Sequence, residues 1–166
     1  MASLQPLAET VVSMCREQNL HIATAESCTG GMIGAMLTTL AGVSDVFEGG
    51  ILAYQNRVKQ TLLDVNEQIL LTEGAVSAAC AQAMAQGAQK ALHVDLAIAV
   101  TGIAGPGGGT PTKPVGLVYI AIAVKHHIHV ERCLFKGDRH AIRLQTVEKA
   151  LALTCDFLKK VSHYNG

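Results

Sequence analysis

The seven residues Ala25-Glu26-Ser27-Cys28-Thr29-Gly30-Gly31 constrain this chain more than any other stretch. A short apolar run, His21 to Ala25, leads into them, and a small-residue pattern at helical spacing, Met32 to Leu40, follows. An apolar run, a glycine-bearing turn and a helix, in that order, predict a strand–turn–helix unit. Such a turn carries a hydroxyl, Ser27, and a thiol, Cys28, over the start of a helix, whose first N–H groups have no partner within the helix. Anions are stabilised there, as is the developing oxyanion of an attacked carbonyl.

The remaining elements follow from periodicity. Leu4, Leu7, Ala8, Val11, Val12 and Cys15 fall at helical spacing and predict a helix from Leu4 to Gln18. Gly42 is expected to end the helix that begins at Met32. Phe47 to Tyr54, with Gly49-Gly50 inside it, reads as a second strand, bulged or at an edge. Asn56 is the expected N-cap of a helix carrying Val58, Leu62 and Leu63. Ser77 caps an alanine-rich helix reaching Leu92, whose small side chains imply close packing against a neighbour. Leu96 to Val100 is a purely apolar run, as expected of a strand buried on both faces. Thr101 to Pro114 is rich in glycine and proline and reads as a loop. Leu117 to Val124 and Ile128 to Phe135 are close enough to pair as a hairpin. Asp138 opens the last helix, with Leu144, Val147, Leu151, Thr154 and Leu158 on one face, and the tail from Ser162 is expected to fray. Strands alternating with helices, then a late hairpin, predict a three-layer α/β/α domain with a mixed, mainly parallel sheet and helices on both faces.

Composition narrows the partners. The chain of 166 residues is expected to form one domain; it is 49% apolar, only 16% charged, and has zero net charge. Nothing in that balance favours nucleic acid or an anionic membrane. Sparse surface charge and the alanine-rich helix together predict a homodimer. No secretory leader or membrane span is expected from the pattern. The five cysteines, at 15, 28, 80, 133 and 155, are scattered and form no Cys-x-x-Cys, which favours free thiols in the cytoplasm over disulfides or a zinc site. His127, His129 and Glu131 share one strand face, but spacing alone does not make a metal site, and no metal or other cofactor is expected.

Four segments carry groups capable of chemistry. The first is the Ser27 turn: the serine is either a simple helix cap or a nucleophile, and a nucleophile needs a base to take its proton. Cys28 beside it is either a second candidate nucleophile or a small buried residue. The second is Tyr54-Gln55-Asn56-Arg57-Val58-Lys59. Lys59 falls in the first turn of a helix, where a cation opposes the macrodipole. It is either a solvated lysine or a base; as a base at neutral pH it must lose its proton far below the ordinary lysine value of about 10.4, which burial or a second cation would bring about. The third is Thr101-Gly102-Ile103-Ala104-Gly105-Pro106-Gly107-Gly108-Gly109-Thr110. Its glycines allow close backbone approach to a ligand, yet it is neither a Walker A loop nor a dinucleotide fingerprint. The fourth is Gly137-Asp138-Arg139-His140-Ala141-Ile142-Arg143, which sets two arginines four apart at the start of a helix. A bound phosphate or carboxylate, or a carboxylate across an interface, would offset their unfavourable position.

Taken together, Ala25 to Gly31, Tyr54-x-Asn56-x-x-Lys59, Gly74-Ala75-Val76-Ser77, Val100 to Pro106, Lys113-Pro114-Val115-Gly116 and Gly137-Asp138-Arg139 resemble the CinA C-terminal-domain family. The likeness is close to its stand-alone members, the nicotinamide-nucleotide amidohydrolases, and runs in order over nearly the whole chain. The resemblance implies a single domain that hydrolyses the carboxamide of nicotinamide mononucleotide (NMN) to nicotinate mononucleotide and ammonia, without a metal, in pyridine nucleotide salvage. It implies Ser27 as nucleophile and Lys59 as base. Tyr54 and Thr101 would line the pocket, and N–H groups around Thr29 and Gly30 would hold the oxyanion. The glycine loop, through Gly102 and Gly105, and Arg139 or Arg143 would hold the nucleotide. The rival reading is a nucleotide-binding module, or an inactive paralogue, that uses the loop and arginines without turnover.

Overall fold

A computed structural model of the chain describes residues 4–163. Eleven helices and strands follow in the order α1 (Gln5–Gln18), β1 (Ile22–Glu26), α2 (Met32–Leu37), β2 (Phe47–Leu52), α3 (Asn56–Leu63), α4 (Glu67–Thr72), α5 (Ala78–Leu92), β3 (Leu96–Gly102), β4 (Leu117–Val124), β5 (His127–Leu134) and α6 (Arg139–Ser162). A 3₁₀ turn, Val43–Asp45, precedes β2. The sheet order is β2-β1-β3-β4-β5. β1 pairs parallel with both β2 and β3, whereas β3–β4 and β4–β5 are antiparallel. Only β4 therefore runs against the other strands, as expected of a mixed, mainly parallel sheet with a late hairpin.

The two faces of this sheet differ in side-chain size. Along β3 and β4 the pairs Ile98–Ile122 and Val100–Ile120 face one way, and Ala97–Ala123 and Ala99–Ala121 the other. The large face packs against α1, α2 and α6, through residues such as Val11, Ile33, Val147 and Leu151. The alanine face takes α5, through Cys80, Ala81, Met84, Ala85 and Ala88, with Leu63 of α3 behind it. Strands alternate strictly, so one run of sequence writes both faces. The close neighbour that the alanine-rich helix calls for is thus the alanine face of the same chain. That stripe is covered within the chain and supplies no argument for a second subunit.

Several boundaries move for local reasons. α2 ends at Leu37, ahead of the expected stop at Gly42, because Thr38 and Thr39 turn their hydroxyls back onto the carbonyls of Gly34, Ala35 and Met36. α4 has no counterpart among the elements expected from periodicity; its signal is Asn66, whose side chain caps the N–H of Gln68 at 2.8 Å. α3 begins at Asn56 itself, with Gln55 in the cap position and no side-chain cap. β2 is an edge strand, with a register shift opposite Ile22 and Ala23, matching the expected bulge. β3 runs two residues beyond Val100, through Thr101 and Gly102. α6 keeps its helical form to Ser162; the rest of the tail expected to fray, beyond His163, lies outside the described residues.

The topology fixes where a ligand site can be. The chain leaves β1 through α2 to reach β2, then crosses back over the other face through α3, α4 and α5 to reach β3. The connections from β1 and into β3 therefore diverge, and open α/β sheets leave a crevice beyond the strand ends at such a switch point. Ser27 follows the last residue of β1, and Thr101 and Gly102 end β3. Gly87 of α5 sets the approach of α3 on the second face, because a Cβ there would run into the Leu63 carbonyl. Gly87→Ala is expected to destabilise by about 3 kcal/mol, the upper part of the range for overpacking, and to lower Tm accordingly. Gly107→Ala, at a site with nothing within 4 Å, is expected to leave Tm unchanged; calorimetry on both variants checks this.

Candidate active site

The turn after β1 is built around one buried carboxylate. Glu26, 1% exposed, accepts from the Thr29 hydroxyl at 2.5 Å, the Ile33 N–H at 2.9 Å and the Gly34 N–H at 3.0 Å. The first-turn N–H groups of α2 are thus consumed inside the protein, and α2 offers no open helix start to a ligand, contrary to the simplest reading of the sequence. The Gly30 N–H closes the turn onto the Ser27 carbonyl at 3.0 Å, so it is not available to an oxyanion either. Among the described residues, no backbone carbonyl accepts from the N–H groups of Cys28 and Thr29. Gly30 and Gly31 sit at φ +59° and +102°, a left-handed pair that L side chains rarely adopt.

Both neighbouring strands hold this turn. The Ser27 N–H donates to the Val100 carbonyl at 3.1 Å, and the Ala53 N–H donates to the Glu26 carbonyl at 2.9 Å. The carbonyl of that same Ala53 then accepts from the Lys59 ammonium nitrogen at 2.7 Å. Lys59 Nζ also reaches the Tyr54 carbonyl at 3.1 Å and Ser27 Oγ at 3.2 Å. One residue beyond the end of β2 thus ties serine and lysine together.

Lys59 is 1% exposed, and no carboxylate among the described residues pairs with it. Lysine is seldom buried unpaired, and such positions cluster at functional sites. Burial lowers its pKa from the ordinary 10.5; the thiols of Cys80 and Cys28 oppose that weakly, and no second cation is needed. A neutral amine has two N–H donors and one lone pair. With both donors on the Ala53 and Tyr54 carbonyls, the neutral form would have its lone pair free for the Ser27 hydroxyl, while the charged form donates to Ser27 Oγ as its third partner. Hydroxyl and amine are within hydrogen-bond reach of one another, the distance a proton transfer between them requires. Cys28 lies in the same place, but burial pushes its thiol up to about 11, leaving it protonated at neutral pH and poor as a nucleophile.

Ser27 and Lys59 open into a cleft of about 180 Å³ lined also by Cys28, Tyr54, Asn56, Ala75, Val76, Thr101, Gly102, Ala104 and Arg139. Thr101 donates from Oγ1 to the Ala75 carbonyl at 2.8 Å, which ties two residues of the cleft wall together. Gly102 must lack a side chain because a Cβ there would lie 2.6 Å from Val118 Cγ2. Arg139 donates to the Gly105 carbonyl at 2.8 Å and the Tyr54 hydroxyl at 3.2 Å. Of the residues expected from sequence, Ser27, Lys59, Tyr54, Thr101, Gly102 and Arg139 converge on the cleft, and Gly105 adjoins it through Arg139. The side chains of Thr29 and Arg143, and Gly30, do not line it: the Thr29 hydroxyl is on Glu26, and Arg143 donates to the carbonyls of Cys28 and Thr29 at 3.0 and 3.1 Å. Sequence reasoning passed over Glu26 as a structural carboxylate, although a charged residue ending an apolar strand was a visible signal. It also took Asn56 for a cap, whereas this residue is the first of α3 and lines the cleft.

Elsewhere, a larger hollow of about 640 Å³ lies at the other end of the sheet, but its Lys90, Asp95, Lys125 and His126 are exposed surface groups and it holds no buried titratable side chain. His129 and Glu131 meet at 3.5 Å, yet no three potential metal ligands gather among the described residues. No helix among them is long and apolar enough to cross a membrane.

Fold and site together define the class: an α/β domain with a buried serine–lysine pair in the crevice at its sheet's switch point. The chain belongs to the CinA C-terminal domain family, which it matches over residues 4–158. A CinA-like protein from a Synechococcus species is 56% identical over 89% of this chain, and one from Syntrophotalea carbinolica is 52% identical over 84%. The chain spans only 36% and 34% of the length of those two relatives. Among solved structures, a CinA superfamily protein from Klebsiella pneumoniae is similar with a TM-score of 0.91 at 33% identity, covering 94% of this chain and 98% of that one. The competence/damage inducible protein CihA from Agrobacterium tumefaciens has a TM-score of 0.88 at 41% identity, covering 90% and 92%.

Since the folded state lowers the pKa of Lys59, the unfolded chain binds the extra proton between that lowered value and 10.5. Stability must then rise with pH across that window. The stability of the wild type relative to Lys59→Met is expected to increase with pH up to the ordinary lysine value, as read by urea unfolding of both proteins at a series of pH values.

Proposed function

We propose that this chain is an amidohydrolase that cleaves the carboxamide of NMN, with Ser27 as nucleophile and Lys59 as general base. The observation that carries the reading is the 3.2 Å contact between Ser27 Oγ and the buried, carboxylate-free Lys59 Nζ. Neutral Lys59 takes the hydroxyl proton as Oγ bonds to the amide carbon. The carbonyl oxygen becomes the oxyanion, facing the N–H groups of Cys28 and Thr29. Lys59 returns the proton to the amide nitrogen, the C–N bond breaks, and ammonia leaves. Water then attacks the acyl ester, Lys59 takes its proton and gives it to Ser27 Oγ, and the carboxylate is released.

The substrate follows from the family resemblance, and the cleft is compatible with it. At about 180 Å³ it is smaller than the ~300–1,000 Å³ of sites that enclose a drug-sized ligand. That volume suits a ring bearing an amide, with ribose and phosphate left at the rim beside Tyr54, the glycine loop and Arg139. This reading places the protein in cytoplasmic salvage of pyridine nucleotides and includes a homodimer, for which the exposed Leu52, Leu62 and Leu71 offer apolar surface.

Purified protein incubated with NMN is expected to release ammonia and nicotinate mononucleotide at a rate that EDTA leaves unchanged. Ser27→Ala and Lys59→Ala should each lower kcat by about 10³-fold or more, whereas Cys28→Ala should keep most of it. kcat/KM should rise with pH through a limb below the ordinary lysine value, and that limb should vanish in Lys59→Ala. Tight NMN binding with no product would make the chain a binding module instead. Sedimentation equilibrium is expected to give twice the 17.4 kDa chain mass.

A further inference from the structure

Arg143 has a feature that a substrate-binding arginine would not need. Its guanidinium is spent on the protein's own backbone, with Nε on the Cys28 carbonyl at 3.0 Å and Nη2 on the Thr29 carbonyl at 3.1 Å. No carboxylate among the described residues pairs with it. It sits in the first turns of α6, a position that disfavours cations, and is partly buried there. Gly30 makes room for it: a Cβ on Gly30 would lie 3.3 Å from Arg143 Nη2, and the residue's φ of +59° is one that favours glycine. Arg139, one helical turn earlier, lines the cleft, and Arg143 does not.

The peptide group is planar and trans, so a carbonyl held on one side turns the N–H of the same unit to the other. The Cys28 carbonyl and the Thr29 N–H belong to one peptide unit. With Arg143 gripping the carbonyl, the Thr29 N–H faces away from Arg143. Ser27 and Cys28, the residues of the same turn that precede Thr29, line the cleft. The Thr29 side chain is fixed as well, its hydroxyl on Glu26. The turn is thus held from inside by a carboxylate and from behind by a guanidinium.

We infer that Arg143 is a positioning residue that aims and polarises the Cys28–Thr29 peptide, making the Thr29 N–H an oxyanion donor for whatever acyl group Ser27 attacks. A charge-assisted hydrogen bond to the carbonyl draws electron density across the unit and strengthens its N–H as a donor. This rests on the reading of Ser27 as a nucleophile, but not on the identity of the amide.

Two readouts on the full chain test it: steady-state hydrolysis of NMN, and the rate at which a fluorophosphonate labels Ser27, whose adduct also places an oxygen in the oxyanion position. Arg143→Lys, which keeps the charge but loses the two-pronged geometry, and Arg143→Ala are each expected to lower kcat by about 10- to 100-fold, because a displaced donor loses most of its effect. KM should stay within about threefold of the wild type. Labelling should slow by a similar factor, and added guanidinium ion should restore part of the Arg143→Ala rate. A raised KM with unchanged kcat would make Arg143 a substrate contact and overturn the inference. So would wild-type labelling rates in Arg143→Lys, or loss of the folding transition in both variants. If the wild type releases no ammonia from NMN, the amide assignment fails; slowed labelling in the variants would still support the role of Arg143.

Discussion

The structure depends on keeping one lysine dry. Lys59 reaches Ser27 only because its stem is enclosed and its nitrogen is met by the carbonyls of Ala53 and Tyr54. In water that amine would hold its proton and serve as no base. Inside, the charged form loses its hydration with no carboxylate to replace it, and the neutral form becomes accessible. The cost of burying a lysine is borne by the surrounding packing. α3 is pressed against α5 where Gly87 leaves space for the Leu63 backbone, and α5 lies close on a sheet face made of alanines.

The same economy of side chains explains the turn. Glu26 ends a strand whose residues are all buried, and a carboxylate there needs donors. The nearest are the free N–H groups of α2 and the Thr29 hydroxyl, so the helix start is closed by the protein itself. Beside it, the carbonyls of Cys28 and Thr29 are tied back to Arg143, and Ser27 and Cys28 line the cleft. Stability and chemical capacity thus share one set of hydrogen bonds. The turn is held because its carboxylate, its hydroxyl and its carbonyls all have partners.

Much of this was legible in the chain. Strand, turn and helix around Ser27 follow from period and glycine, and the apolar runs from Leu96 and Leu117 announced central strands. Less legible were features decided by distant partners. The alanine-rich helix read as a subunit contact because the alanines of β3 and β4, which cover it, are scattered singly among larger residues. Asn56 read as a cap because asparagine usually is one. Arg139 and Arg143 read as an equivalent pair because their spacing gives both the same helical face, yet one turns to the cleft and the other grips the back of the turn.

What the sequence by itself determined is the order of elements, the two unlike faces of the sheet and the residue types able to do chemistry, since each depends on neighbours within a few positions. What only the tertiary structure decided is which of those residues meet. Ser27 and Lys59 are 32 positions apart, and Arg143 stands 115 from the carbonyl it holds. Their encounter depends on the crossing that places β1 between β2 and β3. The physical reason is that local pattern sets which face a side chain occupies, whereas solvent exclusion and proton affinity are set by everything packed around it.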